Sequence, residues 1–457
     1  MSREQVSTSG PAAALTSLFS QWRSYRQIHR VFLVLFVVST IFVLDRYRVA
    51  LAGTLGVPYR PPIMVQADDG PSSGQSEDTA IERAGNGTLG FHAIYYVNMK
   101  ARYDREDAMA LQAYISGLDI QDYPAVESDM IDPVGMPPTH RPGVLKVGER
   151  GCWRAHANIW SEMVRKKLPP ILIMESDATW DINVRPIMSN LNKHFVEFLR
   201  NINSTAVHDP SWRAKNNRHP LADDPHRAET YVPPNDAANG TATATPAPAP
   251  APAPTPIEFN VDDPWLSEHW DLFSIGQCFE TNQDKDINLV YTDQHVPAGK
   301  NYWGVKLGNQ RVIRKSGGIT CTTSYAISHT GAAKLLLRSS IDLDNPVDLL
   351  IRRMTLSRDL VAYSVQPPIV AQWEYRGDVG MNERGAQSDI NGGKHKDTPS
   401  DAEMKGWDDV KKTGSVWTTK SLHHDVGFDR MALEVAWDQI LTNVVLTDSW
   451  YNPVDKD

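Results

Sequence analysis

Apolar and polar positions alternate along this chain in blocks that predict strands and helices in turn. Ala93–Val97 (AIYYV) reads as a buried first strand, and Glu106–Ser116 (EDAMALQAYIS) as a mainly apolar helix with Gly117 as its stop. Tyr123–Val126 is a candidate second strand. Arg150–Lys167 carries Trp153, His156, Ile159, Trp160 and Met163 at near-helical spacing. Ile171–Met174 then runs four apolar residues without a polar break. It follows Pro169-Pro170, which cannot continue a helix, so it reads as a short, fully buried strand; a buried helical turn shares the pattern. Strand, helix, strand, helix, strand is the order of a parallel α/β sheet flanked by helices.

The pattern is lost from 201 to 256, where Thr241–Pro256 (TATATPAPAPAPAPTP) is an extended Pro/Ala tract that cannot pack a core. We read 201–256 as a disordered surface insertion. Beyond it, Asp271–Ile275 and Ser324–Ser328 predict strands and Thr330–Ser339 a short helix. Asp342–Leu350 leads into a further helix, Leu360–Val365 reads as the last strand, and Met431–Asn443 as a terminal helix.

At the other end, Val31–Leu44 is the one long apolar run, which as a helix spans only about 21 Å at about 1.5 Å per residue. Three readings compete. Ala50-Leu51-Ala52 offers a signal-peptide cleavage site, but about thirty residues precede the apolar run, which is long for a signal. A buried core helix has no domain beside it. A short signal-anchor, extended by snorkelling of Arg23, Arg26 and Arg30 and suited to a thin early-secretory membrane, is the reading adopted. Arginines on both sides leave the positive-inside count nearly balanced. Glycosylation triplets at Asn86, Asn203 and Asn239 favour a lumenal C-terminal portion. The organisation expected is a cytosolic tail over 1–30, an anchor over 31–48, a stalk over 49–88, a catalytic domain over 89–391 interrupted by the insertion, and an extension over 392–457.

Composition changes little: 41% hydrophobic and 22% charged is ordinary for a globular protein, and a net charge of -9 argues against a nucleic-acid binder. Three cysteines (Cys152, Cys278, Cys321) fit neither a disulfide framework nor a CxxC zinc site. One disulfide is possible in an oxidising compartment, and the pair is left open.

Chemistry concentrates where the ILIM strand ends. Glu175 and Asp177, two residues apart, lie on one face of an extended chain. Open α/β sheets place ligands beyond the carboxyl ends of their strands. Two hard oxygen ligands there suit Mg²⁺ or Mn²⁺ bridging to a phosphate. An acidic strand exit with no ion is the plain alternative.

Five stretches in order, YYVNMKARYDR (95–105), VGERGCWRAHANIW (147–160), ILIMESDA (171–178), WDLFSIGQC (270–278) and TSYAISHTGAAKLL (323–336) followed by PVD (346–348), resemble glycosyltransferase family 25. That family includes lipooligosaccharide galactosyltransferases and procollagen galactosyltransferases. The resemblance covers about 91–200 and 257–391. It implies a GT-A-like fold and metal-dependent transfer of a sugar, usually galactose from UDP-galactose, with inversion at the anomeric carbon. Asn98, Lys100, Arg102, Asp104 and Arg105 match the family's first motif, N-L-K-x-R-x-D-R, and are the implied nucleotide-binding loop; a solvated salt-bridged turn is the plain alternative. Gly148, Glu149, Gly151, Cys152 and His156 match G-E-x-G-C-x-x-S-H, with Ala155 where the family has serine. Gly148 and Glu149 are candidate cofactor-binding residues, Cys152 reads as a buried thiol, and His156 as a supporting side chain. Glu175-Ser176-Asp177 stands where the family has E-D-D. Both outer carboxylates, the candidate metal ligands, are kept, and the lost middle acid puts metal affinity in question. Trp270 and Asp271 begin the strand of the second half, and Ser324-Tyr325 and Pro346-Val347-Asp348 match positions near the expected acceptor side. Asp348 is a candidate general base or a helix N-cap, and Asp389 an alternative base.

The expected protein is a single-pass type II glycosyltransferase of the Golgi or endoplasmic reticulum, acting in the lumen on a glycan or glycoprotein hydroxyl. The rival from another class is a non-catalytic, membrane-anchored binder of glycans or nucleotide sugars, for which Ser176 and Ala155 argue. A hydrolase using Glu175 and Asp177, whose spacing is close to the about 5–5.5 Å of a retaining pair, has no other support.

Overall fold

The computed structural model describes residues 73–207, 256–297, 301–302, 305–306, 308–377, 379, 406–420 and 426–441. The tail, the Val31–Leu44 run, residues 49–72 of the expected stalk, most of the insertion and Asp389 lie outside them. Among the described residues no helix is long and apolar enough to cross a membrane.

In chain order the elements are α1 (Ser73–Ala84), β1 (Ile94–Asn98), α2 (Tyr103–Ser116), β2 (Ile120–Pro124), α3 (Val147–Lys166), β3 (Ile171–Glu175), β4 (Ala178–Trp180) and α4 (Val184–Asn201). After the insertion come β5 (Leu272–Gly276), β6 (Phe279–Glu280), β7 (Asn288–Thr292), the small pair β8 (Asn301–Tyr302) and β9 (Val305–Lys306), β10 (Gln310–Lys315), β11 (Ile319–Thr320) and β12 (Ser324–Ile327). Last are α5 (His329–Ile341), α6 (Val347–Leu356), β13 (Ala362–Gln366), β14 (Val370–Tyr375), α7 (Trp407–Thr413), β15 (Trp417–Thr419) and α8 (Ala432–Leu441).

Eight strands form one sheet in the order β2-β1-β3-β12-β5-β13-β10-β7. The β2-β1, β1-β3 and β5-β13 pairs are parallel, while β12 and β10 run against both of their neighbours. Six of the eight strands therefore point one way, giving a mixed, mainly parallel α/β sheet.

Alternation along β3 sorts the core into two layers. Leu172 and Met174 face α4 and the aromatic group of Phe195, Phe198, Trp265 and Phe273. Ile171 and Ile173 face the other way, onto Trp153 and Trp160 of α3 and Leu350 and Ile351 of α6. Period two then places the Glu175 side chain on the α3/α6 side. β3 ends at Glu175, and Ser176-Asp177 form a turn into β4, so Asp177 is reached through a turn rather than along an extended strand. The expected i, i+2 face holds for its first member only.

Several expectations are corrected. The last part of the stalk is α1, whose Ala80 and Ala84 are fully buried. The first-motif loop is shorter than expected, because Tyr103-Asp104-Arg105 already form the first turn of α2. β13 is not the last strand: β14 pairs with β4, and β15 pairs with β14. The segment beyond 392 is part of the body, since Phe428, Met431 and Leu433 pack with Trp373 and Ala108 of α2. α4 was not anticipated, although its buried Val184, Ile187, Met188, Leu191, Phe195 and Leu199 keep helical spacing. Pro186 breaks the pattern by eye, yet in a first turn its missing N–H costs nothing. β10 was hidden by its arginines. Arg311 is fully buried, bonded to Asp293 (2.5 Å) and to the carbonyls of Pro367 (2.7 Å) and Gly427 (2.6 Å); the Gln366–Pro367 peptide is cis.

Candidate active site

The register brings β1, β3 and β12 together at one edge. Val97 lies beside Glu175, and Met174 faces Ser324 because β12 starts where β3 ends. Asn98, Asp177 and Ser324 thus come to that edge from three neighbouring strands. Each carries a buried oxygen with no hydrogen-bond partner: Asn98 Oδ1, Asp177 Oδ1 and Ser324 Oγ. A buried polar atom without a partner costs about 1–3 kcal/mol, and three of them fall at this edge.

The carboxylates gather here. Glu175 accepts a hydrogen bond from the Thr322 hydroxyl at 2.6 Å, and its backbone N–H donates to Thr323 O at 3.0 Å. Burial first, then the neighbouring charges of Asp177 and Asp348, push its pKa up to about 7, against the Thr322 hydrogen bond and the Arg105 charge. Asp177 Oδ2 sits 3.3 Å from Arg105 Nη2. Asp348, in the first turn of α6, accepts from Cys321 N–H at 3.2 Å and Leu349 N–H at 2.8 Å. Burial and the charges of Glu175, Asp348, Glu149 and Asp177 raise the Cys152 thiol well above its ordinary value, so all four acids act on one spot.

Two segments hold this arrangement. Cys278 and Cys321 form a disulfide, the pairing left open by the sequence. The bonded Cys321 begins the run Cys321-Thr322-Thr323 that grips Asp348 and Glu175. On the α3 side, His156 is buried beside the Tyr325 hydroxyl, 2.9 Å from its Nδ1, and burial lowers its pKa to about 4. Trp160 Nε1–H donates to the same hydroxyl at 3.2 Å. His156 is therefore a neutral side chain that ties α3 to β12.

The remaining candidates separate. Arg102 and Asp104 form a two-pronged pair at 2.9 Å, and Tyr375 donates to Asp104 at 3.3 Å. Burial works to raise the Asp104 pKa, but the arginines win and hold it low. Arg105 turns to Asp177, Asn98 stays buried with its Nδ2 donating to Arg102 O at 3.4 Å, and Lys100 is exposed. Glu149 closes the first turn of α3 by accepting from Lys146 N–H at 2.7 Å, with Gly148 beside it in that turn. Gly151 is small for a reason other than a ligand: a Cβ there would meet Val126 O at 2.6 Å. Trp270 and Asp271 lie at the opposite end of the sheet, where Asp271 bonds Lys334 and the Val361 N–H. The sequence presents Cys321 only as a possible disulfide partner and gives Thr322 no role in the site. The one signal for them was their place just before β12.

A mixed α/β sheet with its acids and open polar atoms beyond the strand ends belongs to the α/β proteins that bind ligands at that edge. Comparison with known proteins adds a family likeness. Residues 91–219 match the model of glycosyltransferase family 25 (LPS biosynthesis protein). A glycosyltransferase 25 family member of Anopheles gambiae is 30% identical over 106 residues, 20% of this chain and 18% of that protein. Procollagen galactosyltransferase 2 of Mus musculus is 24% identical over 155 residues, 28% of this chain and 24% of that protein. The inactive glycosyltransferase 25 family member 3 of Homo sapiens is 22% identical over 334 residues, 68% of this chain and 42% of that protein. The chain thus spans between about a fifth and two fifths of the length of these relatives.

Proposed function

We propose that this chain is a glycosyltransferase that binds a nucleotide-sugar donor at the edge formed by β1, β3 and β12. The observation that carries the reading is the trio of unpartnered buried oxygens on Asn98, Asp177 and Ser324 beside the Glu175 and Asp348 carboxylates. The likeness to family 25 supports a sugar nucleotide as donor, and the procollagen galactosyltransferase relatives favour UDP-galactose.

Asp177 Oδ1, a buried carboxylate oxygen with no protein partner, fits a hard divalent cation; Glu175 leaves β3 on another face but is close enough for the Asp177 charge to raise its pKa, and is the candidate second ligand. Mn²⁺ or Mg²⁺ held there would neutralise charge developing on the departing diphosphate. The chain's own groups do the rest. Arg105 fixes Asp177, Thr322 fixes Glu175, and Asn98 and Lys100 meet the polar edges of the nucleotide. Asp348, oriented by two backbone N–H groups, takes the proton of the acceptor hydroxyl. We further propose that the chain is anchored through Val31–Leu44 with this domain in the secretory lumen; the Cys278–Cys321 disulfide agrees with an oxidising compartment.

The second reading is a non-catalytic binder. Ser176 replaces the middle acid of the motif, and one relative is named inactive. The test is a thermal-shift titration with a panel of nucleotide sugars, with and without Mn²⁺, alongside release of UDP on addition of acceptor sugars. Transfer predicts a manganese-dependent shift with one UDP-sugar and acceptor-dependent UDP release. Asp177→Ala should lower turnover by at least about a hundredfold, since a catalytic cation contributes several kcal/mol. A shift without UDP release would favour a nucleotide-sugar binder, and no shift with any donor would overturn the transferase reading and leave a glycan binder.

A further inference from the structure

Cys152 and His156 stand four residues apart on α3, on the helix face that looks at the end of β3. The Cys152 sulfur, one ring nitrogen of His156 and a Glu175 carboxylate oxygen all lie within 4.8 Å of one another. Thiolate, imidazole and carboxylate in one cluster is a different donor set from the all-oxygen pair Glu175 and Asp177. A soft sulfur and a borderline nitrogen discriminate against Mg²⁺ and Mn²⁺ and select Zn²⁺ or its neighbours.

The surroundings favour a cation. The charged groups acting most on the Cys152 thiol are the carboxylates Glu175, Asp348, Glu149 and Asp177. The histidine is also held as a metal ligand should be. Its Nδ1 faces the Tyr325 hydroxyl, which accepts from Trp160 Nε1–H as well. With Nδ1 protonated and donating to that oxygen, the ring is locked and Nε2 is the nitrogen offered to the ion. A tetrahedral zinc site with bonds of about 2.0–2.3 Å needs the three donors to draw together by roughly an ångström, a side-chain adjustment, and leaves one position for water.

A second cluster of similar size shows the contrast. His140, Asp342 and Asp344 also lie within 4.8 Å, but Asp344 is already bonded to Arg338 at 2.9 Å and Arg353 at 2.6 Å. That group is an ion-pair network, neutralised by its own arginines.

We propose that Cys152, His156 and Glu175 form a Zn²⁺ site, separate in donor chemistry from the proposed Mn²⁺ or Mg²⁺ site and sharing only Glu175 with it. Zinc bound there withdraws Glu175 from the oxygen site, so Zn²⁺ and Mn²⁺ exclude each other.

Cobalt(II) reports on such a site directly, because a cobalt–thiolate bond gives a charge-transfer band in the near ultraviolet that oxygen ligands do not. The full chain, with its disulfide intact, would be titrated with Co²⁺ and then with Zn²⁺. Cys152 is the one free cysteine beside the disulfide, so a thiolate band can come from no other residue. The expected result is a band in the wild type, bleached by an equivalent of Zn²⁺ and absent in Cys152→Ser. Zn²⁺ affinity should fall by at least about a hundredfold in that variant, because even outer partners of a metal ligand are worth 10–100-fold. No band in the wild type, or one that persists in Cys152→Ser, overturns the proposal. Failure here leaves the transferase reading untouched, since that reading is tested by donor binding and UDP release and does not need Cys152.

Discussion

Glu175 carries two demands that a single side chain meets badly. It must be buried enough to be held in place and, in the proposed metal site, ionised enough to bind a cation. Burial and the Asp177 charge raise its pKa from the ordinary 4.5 to about 7. Between those values the folded state keeps a proton that the unfolded chain has lost. Metal-free stability must therefore fall as pH rises through that window, with the full penalty present above about 7. Glu175→Gln removes the penalty and keeps an oxygen for Thr322. In EDTA, the variant and wild type should unfold alike near pH 4.5, and by pH 8 the variant should be more stable by on the order of 2 kcal/mol. Denaturation at several pH values checks this, and a constant difference would refute it. The two carboxylates were legible in the sequence, because an apolar run ending in acids is a local pattern. Thr322 was not. Its hydroxyl meets Glu175 only because β12 runs antiparallel to β3, and that pairing joins residues 147 positions apart.

Strands and helices with clean periodicity were legible to within a few residues, and those whose pattern is interrupted were not. β3, β12 and α3 match their expected spans closely. α4 was lost behind Pro186, and β10 behind Arg311 and Arg314, whose burial depends on carbonyls far along the chain. The β6–β11 pair is the element on which the site hangs. It is only two residues long on each strand, and the Cys278–Cys321 bond closes it across a sequence separation of 43. Loop-closure entropy for such a ring gives about 4 kcal/mol as an upper figure, with about 2–4 usual. Cys278→Ala with Cys321→Ala should lose that much stability to chemical denaturation. It should also weaken Mn²⁺ binding at limiting metal, because Cys321 N–H and the Thr322 hydroxyl would no longer be pinned against Asp348 and Glu175. A variant that lost stability but bound manganese normally would show that the disulfide serves the fold alone.

Across the whole molecule, two segments look equally dispensable by composition, and the structure separates them. The polar, Gly-rich stretch after 377 reads as an appendage, yet it returns at 406–441 to complete the body. Phe428, Met431 and Leu433 are buried against Trp373 and Ala108, and Arg430 N–H donates to Asp181 at 3.1 Å. Arg376 pairs with Glu434 at 2.8 Å. Three large apolar side chains at about 1.5–3 kcal/mol each amount to much of a typical domain's net stability of about 5–15 kcal/mol. A chain ending at Arg376 should lose its cooperative thermal transition. The insertion is the opposite case. Its flanks are fastened to the body, Val207 N–H to Glu268 O at 2.7 Å and Arg200 Nε to Ile257 O at 2.8 Å, so the sheet does not depend on what joins them. Replacing 208–255 by a short Gly/Ser linker reduces the closure entropy by about 1–2 kcal/mol and removes no contact made by the described core. The melting temperature should hold or rise slightly. A fall of several degrees would mean that the Pro/Ala-rich segment packs on the domain, and its composition would then have misled us as the C-terminal stretch did.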